Sequence, residues 1–161
     1  MRVEFHQLSG REWAKAAAAG LAVGVILAVI NVIALKSHLS PLPKPLGLAF
    51  AETLFGRALP LPVGLLFHLA WVTLAAIAYV AVWRDALTLL NAAILAAGLW
   101  LLALVVFFPV VGWGFFGLGV SPRLIIPATV SHLLFALFLW GACRLLFRDG
   151  RAGAGAQRRA A

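Results

Sequence analysis

The sequence predicts an all-α integral membrane protein, a four-helix bundle built as one domain over residues 1–147. Three observations predict it. Hydrophobic residues fill 64% of the 161 positions and charged residues only 11%, with a mean hydropathy of +1.04, whereas soluble domains are roughly half apolar and a quarter charged. Apolar runs of spanning length recur four times, at about residues 16–35, 61–83, 86–108 and 124–147. None of the runs alternates as a barrel strand does, and lipid offers an unpaired backbone group no partner, so each predicts a helix.

The first run, AAAAGLAVGVILAVINVIAL, is long enough to cross a hydrocarbon core of about 30 Å, with Trp13 and Lys15 at its interface. It exceeds the h-region of a signal peptide and ends at Lys36 without a small-x-small cleavage site, which predicts a retained span. Residues 36–60 open proline-rich and end in LGLAFAETLFG, a short helix expected to lie in the membrane interface. Only Arg84 and Asp85 separate the second run from the third, which predicts an antiparallel hairpin. Between the third and fourth runs, PVVGWGFFGLGVSPR predicts a bent loop anchored at headgroup depth by Trp113, Phe115 and Phe116. A phosphate-binding loop is the weaker reading there, because no lysine or helix start follows at the required spacing.

The formal charge of +8 would suit nucleic acid if it lay on one soluble face, but the basic residues flank the apolar runs and no nucleic-acid partner is expected. They set orientation instead. Arg2, Arg11, Lys15, Arg84, Arg144, Arg148, Arg151, Arg158 and Arg159 fall on one side, and Lys36, Lys44, Arg57 and Arg123 on the other. The positive-inside rule then predicts cytoplasmic N- and C-termini in a bacterial inner membrane. Residues 148–161 read as a flexible basic tail attracted to anionic lipids. Cys143 stands alone in an apolar run and has no partner for an intramolecular disulfide.

Ala16, Gly20, Gly24 and Ala28 recur every four residues along one helix face, a stripe that lets another backbone approach closely. Its partner is either another span of the chain or a second subunit, in a homo-oligomer or a larger complex. Asn31 and Asn91 are the amides within spans and are expected to hydrogen-bond between helices.

His68 and His132 interrupt the second and fourth runs. They are 64 positions apart, as are Arg84 and Arg148, and Asp85 and Asp149, a pattern that suggests a two-helix unit used twice in tandem. Both histidines count to about 10 to 12 Å from the outer ends of their helices, in one leaflet. Pro62 fits a first helical turn, whereas Pro127 is expected inside the fourth helix, where it would kink it. Two readings stand for the imidazoles. In one they satisfy backbone carbonyls or the hydroxyls of Thr73, Thr129 or Ser131. In the other they converge on a ligand, since ionisable groups inside membranes point to function: a b-type haem with Arg123 or Arg57 near its propionates, a metal ion, or a quinone.

Catalysis finds less in the sequence. Glu52 is the only carboxylate expected outside, so no acid pair can form there. Ser131 and His132 are adjacent, which on a helix turns their side chains about 100° apart. No ionisable path crosses the inner halves of the spans beyond Asn91, Tyr79 and Arg144, and Arg144 is expected to snorkel to the surface.

At FHLAW, VVFFPVVGWGFFG and SHLLFALFLWG the chain resembles an uncharacterised family of small four-helix bacterial inner-membrane proteins. The matching features are His68 opening the second span, Pro109 and Gly112 after the third, and His132 opening the fourth. That likeness implies the fold and no activity. The leading functional expectation is therefore a non-catalytic accessory or assembly subunit of a larger membrane complex, respiratory complexes included. The alternatives are a small bis-histidine redox protein and a small-molecule transporter.

Overall fold

The computed structural model describes residues 7–147, and every regular element in that range is helical. Helix α1, Gly10–Lys36, starts ahead of the apolar run because Ser9 and Glu12 form a capping box: the Glu12 N–H donates to the Ser9 hydroxyl, and the Ser9 N–H donates to the Glu12 carboxylate at 2.9 Å. Helix α2, Leu46–Phe55, is the short helix expected before the second span, and Gly56 ends it with φ 63°. Helix α3 is Leu61–Trp83, the expected bounds, with Pro62 in its first turn. Helix α4, Leu89–Val110, begins three residues later than expected, because Thr88 caps it by accepting the Asn91 N–H. A single 3₁₀ turn, Pro122–Leu124, leads into helix α5, Ile125–Leu146. Four of these helices, α1, α3, α4 and α5, are long and apolar enough to cross a membrane.

The Lys15 ammonium donates to the Leu146 carbonyl at 2.7 Å, which brings the start of α1 beside the end of α5. Arg84, at the α3–α4 turn, pairs with Glu12. Both cations lie over the Phe147 ring, Lys15 at 5.6 Å and Arg84 at 5.0 Å from its centroid. The opposite end of the bundle carries α2 and the glycine-rich loop.

The small-residue stripe of α1 packs against α3 of the same chain. A Cβ added at Gly20 would come within 2.6 Å of the Thr73 Cα, and one at Gly24 within 2.9 Å of Leu69 Cδ2. Ala16 is fully buried, and Ala28 is half-buried one turn beyond Gly24. Helix α5 packs on both α1 and α4, whereas α3 and α4 share few contacts. The expected hairpin is therefore open. Its connecting turn buries Leu87 in the core, and its two legs dock on different partners.

Three further expectations are corrected. Trp113 is buried against Phe108, with ring centroids 5.2 Å apart, so of the three aromatics only Phe115 and Phe116 project outward, with Leu118 and Val120 beside them. Asn91 sits in the first turn of α4 and donates to the Ala86 carbonyl at 2.7 Å, which makes it a cap at a turn and not a link between helices. Pro127 occupies the first turn of α5, where its missing N–H disrupts no interior hydrogen bond. The basic tail, and Arg148 and Asp149 of the tandem pattern, lie outside the described residues.

Candidate functional site

His68 and His132 are each the eighth residue of their helices, α3 and α5. At 1.5 Å per residue both lie about 10 Å below the α2 end of the bundle. They line one cavity of about 230 Å³. Helix α1 contributes Ala28 and Asn31 to its wall, α3 Gly64, Trp71 and Ala75, α4 Ala103 and Phe107, and α5 Ala128, Ser131 and Phe135.

Helix α2 covers the cavity with Leu46, Gly47 and Phe50. It can lie this close because Gly47 meets Gly64: a Cβ on Gly47 would stand 2.6 Å from the Gly64 carbonyl oxygen, and one on Gly64 2.7 Å from the Leu48 Cα. Phe107 binds the roof to the wall, edge-to-face with Phe50 at 5.1 Å and with Trp71 at 5.2 Å.

Both imidazoles are hydrogen-bonded to backbone carbonyls. His68 Nε2 lies 3.1 Å from the Gly24 oxygen on α1, and His132 Nδ1 lies 2.8 Å from the Ala128 oxygen one turn back on its own helix. A carbonyl only accepts, so in the neutral rings the proton sits on Nε2 of His68 and on Nδ1 of His132. Each ring keeps one unprotonated nitrogen. Among the described residues the only buried side-chain nitrogen or oxygen without a partner is Thr73 Oγ1. The two remaining nitrogens, His68 Nδ1 and His132 Nε2, are therefore not sealed in protein, and both residues line the cavity.

The carbonyl-satisfied reading of the histidines is thus realised for one nitrogen of each ring. Two of the hydroxyls named with it are engaged elsewhere: Thr129 donates to the Ile125 carbonyl and accepts from Trp100 Nε1, and Ser131 donates to Asn31 Oδ1 at 2.8 Å, while the third, Thr73, bonds neither imidazole. Asn31 does link helices as expected. Ser131 also faces away from any nucleophile–base pairing with His132.

The Asn31–Ser131 pair borders a second space, a groove of about 350 Å³ between α1 and α5 that shares Asn31, Pro127 and Ser131 with the cavity. Arg123 and His38 line its upper part, and Ile30, Val130 and Leu134 its apolar length. Arg57 is exposed beyond the end of α2 and lines neither space.

One feature of the site escaped the sequence reading. Residues Ala103–Phe107 form a π-helical turn within α4, and its two ends line the cavity. Wide turns of this kind concentrate at functional sites. The available signal was Pro109, which cannot donate to the residue four before it and crowds that carbonyl.

Size limits what the cavity holds. An apolar cavity of roughly 150 Å³ accepts benzene, and pockets for drug-sized ligands run to roughly 300–1,000 Å³. About 230 Å³ suits one substituted ring or a short branched chain. A haem macrocycle does not fit this volume, and among the described residues no three His, Cys, Asp or Glu side chains gather to hold a metal ion.

Fold and site together define a class, a helical bundle with four helices long and apolar enough to cross a membrane and a roofed, aromatic-walled cavity lined by two imidazoles that each bond a backbone carbonyl. Comparison of the chain with protein-family models, curated proteins and solved structures finds no match, so the likeness at the three sequence motifs has no counterpart there.

Proposed function

We propose that this is a non-catalytic protein of a bacterial cytoplasmic membrane whose histidine cavity binds one small lipophilic molecule. The observation that carries the reading is that His68 and His132, at equal depth on different helices, line the same roofed cavity and each retain a nitrogen able to accept a hydrogen bond. Apolar and aromatic walls with a few placed polar groups are how small-molecule sites are built. Cytoplasmic termini, with α2 facing the periplasm, follow from the charge distribution. Arg11, Lys15, Arg84 and Arg144 balance Lys36, Lys44, Arg57 and Arg123 among the described residues, so the bias comes from Arg2 and the arginines after residue 147.

A second reading, attachment to a larger membrane complex, draws support from α4. Ala93, Ala97 and Gly98 are exposed there, and a Cβ at Gly98 meets nothing within 4 Å. The α1 stripe gives it no support, since α3 covers that face.

Organic extraction and mass spectrometry of protein purified in mild detergent test the ligand reading. A lipophile should be recovered near one per chain and lost in the cavity-filling variants Ala75→Phe and Ala28→Leu. Protein that carries none, and that binds no alkylbenzene probe in lipid nanodiscs, overturns it. A Soret band lost in His68→Ala and His132→Ala would put haem in its place.

A further inference from the structure

The hydrogen bonds of the two imidazoles decide which ligands the cavity can hold. Both ring N–H groups already point at carbonyls, Gly24 for His68 and Ala128 for His132. What remains for a ligand is a lone pair on each ring. Ser131 likewise gives its proton to Asn31 Oδ1, which leaves the Asn31 amide NH₂ and the Trp71 indole N–H as side-chain donors among the lining residues, beside two imidazole acceptors.

We infer that the cavity selects a hydrogen-bond donor, a lipid-soluble aromatic diol of the alkylated hydroquinone class, over the corresponding quinone. The inference rests on the cavity being a ligand site, and it names the class of that ligand. A hydroquinone ring fits the volume, and its two hydroxyls donate to His68 Nδ1 and His132 Nε2 without disturbing either carbonyl bond. A quinone offers acceptors only. A quinone could accept from Asn31 or Trp71, but set between the imidazoles it obliges each ring to withdraw its N–H from a partly buried carbonyl or to face the ligand lone pair to lone pair, and leaving such groups unpaired is what makes polar sites selective. The groove between α1 and α5, which shares Asn31, Pro127 and Ser131 with the cavity, passes Ile30, Val130 and Leu134 and gives an alkyl substituent an apolar route out to the lipid.

The test uses the full chain in lipid nanodiscs, titrated by calorimetry with three probes: decyl-1,4-benzohydroquinone under anaerobic conditions, the matching benzoquinone, and the hydroquinone's dimethyl ether. The hydroquinone should bind at least about tenfold more tightly than either of the others. His68→Phe and His132→Phe should each lower hydroquinone affinity and leave the ether's unchanged. Imidazole ¹⁵N spectra of unsubstituted protein should show opposite tautomers at the two positions, a readout that needs no variant to fold. Equal affinity for all three probes, tighter quinone binding, or like tautomers overturns donor selection and leaves the cavity as a site. Failure of all three probes to bind, or binding indifferent to Ala75→Phe, removes the site as well.

Discussion

Ser131 donates a hydrogen bond to Asn31 Oδ1 at 2.8 Å, joining α5 to α1 between residues 100 positions apart. The bond lies where the cavity meets the groove, so it ties two helices beside the passage between the two spaces. Polar links of this kind in membrane bundles average about 0.6 kcal/mol and reach about 1.7, because the separated helices also find partners for their polar groups. A double-mutant cycle with Asn31→Leu and Ser131→Ala, read by unfolding in mixed micelles, should return a coupling in that range. A coupling of zero would mean that the two side chains do not sense one another.

Two glycines make opposite predictions for the same substitution. Gly20→Ala places a methyl 2.6 Å from the Thr73 Cα and 2.9 Å from the Ala76 Cβ, so α1 and α3 must separate. Overpacking of this sort costs about 1–3 kcal/mol. Gly98→Ala on α4 meets nothing within 4 Å and gains the helical preference of alanine, about 0.5–1 kcal/mol. Unfolding in the same micelles should show Gly20→Ala destabilised and Gly98→Ala unchanged or stabilised. The reverse order would place the α1 stripe elsewhere than on α3.

What could be read from the sequence follows the range of the forces involved. Hydrophobic length alone located α3 at its observed bounds, and counting residues from helix ends placed His68 and His132 at one depth. Polar residues at helix ends misled: Ser9 and Glu12 extend α1 beyond its apolar run, and Thr88 and Asn91 delay α4, because capping depends on a few hydrogen bonds and not on hydropathy. Tertiary choices were not legible. A stripe of small residues fits any close-packed partner, and only the assembled bundle shows that α3 takes it. The burial of Trp113 likewise depends on Gly117, at φ 78°, turning the loop back against Leu124, a contact no local pattern encodes.

Orientation in the membrane is checked by a single accessible thiol. Cys143 is buried, so in a Cys143→Ser background a cysteine replacing the exposed Leu118 in the glycine-rich loop is the only reactive site. A membrane-impermeant maleimide should label Leu118→Cys in intact spheroplasts and fail to label a cysteine at Arg11 until the cells are opened. Labelling of the Arg11 position in intact spheroplasts would invert the proposed topology and turn α2 toward the cytoplasm.

Glu52 holds the roof of the cavity from both sides. Its carboxylate accepts from the Lys44 ammonium at 2.6 Å, before α2, and from the Leu59 N–H at 3.2 Å, after it. The bond from Lys44, and then that from Leu59, pulls the Glu52 carboxyl below the usual glutamate range. A carboxyl whose folded value lies below its unfolded one stabilises fully above the unfolded value, about 4.3, and loses that contribution as the pH falls through the folded value. Hydrogen exchange over residues 44–59 should therefore be slow and flat, after correction for intrinsic rates, from about pH 8 to 5, and accelerate below about pH 4. Glu52→Gln removes the ion pair, so exchange there should be faster above about pH 4, converge with the unsubstituted protein in acid and lose the acid step. Because the Lys44 side chain is 43% exposed, high salt should weaken the latch in the unsubstituted protein and have less effect in the variant. An acid step that persists in Glu52→Gln would assign the latch to another group.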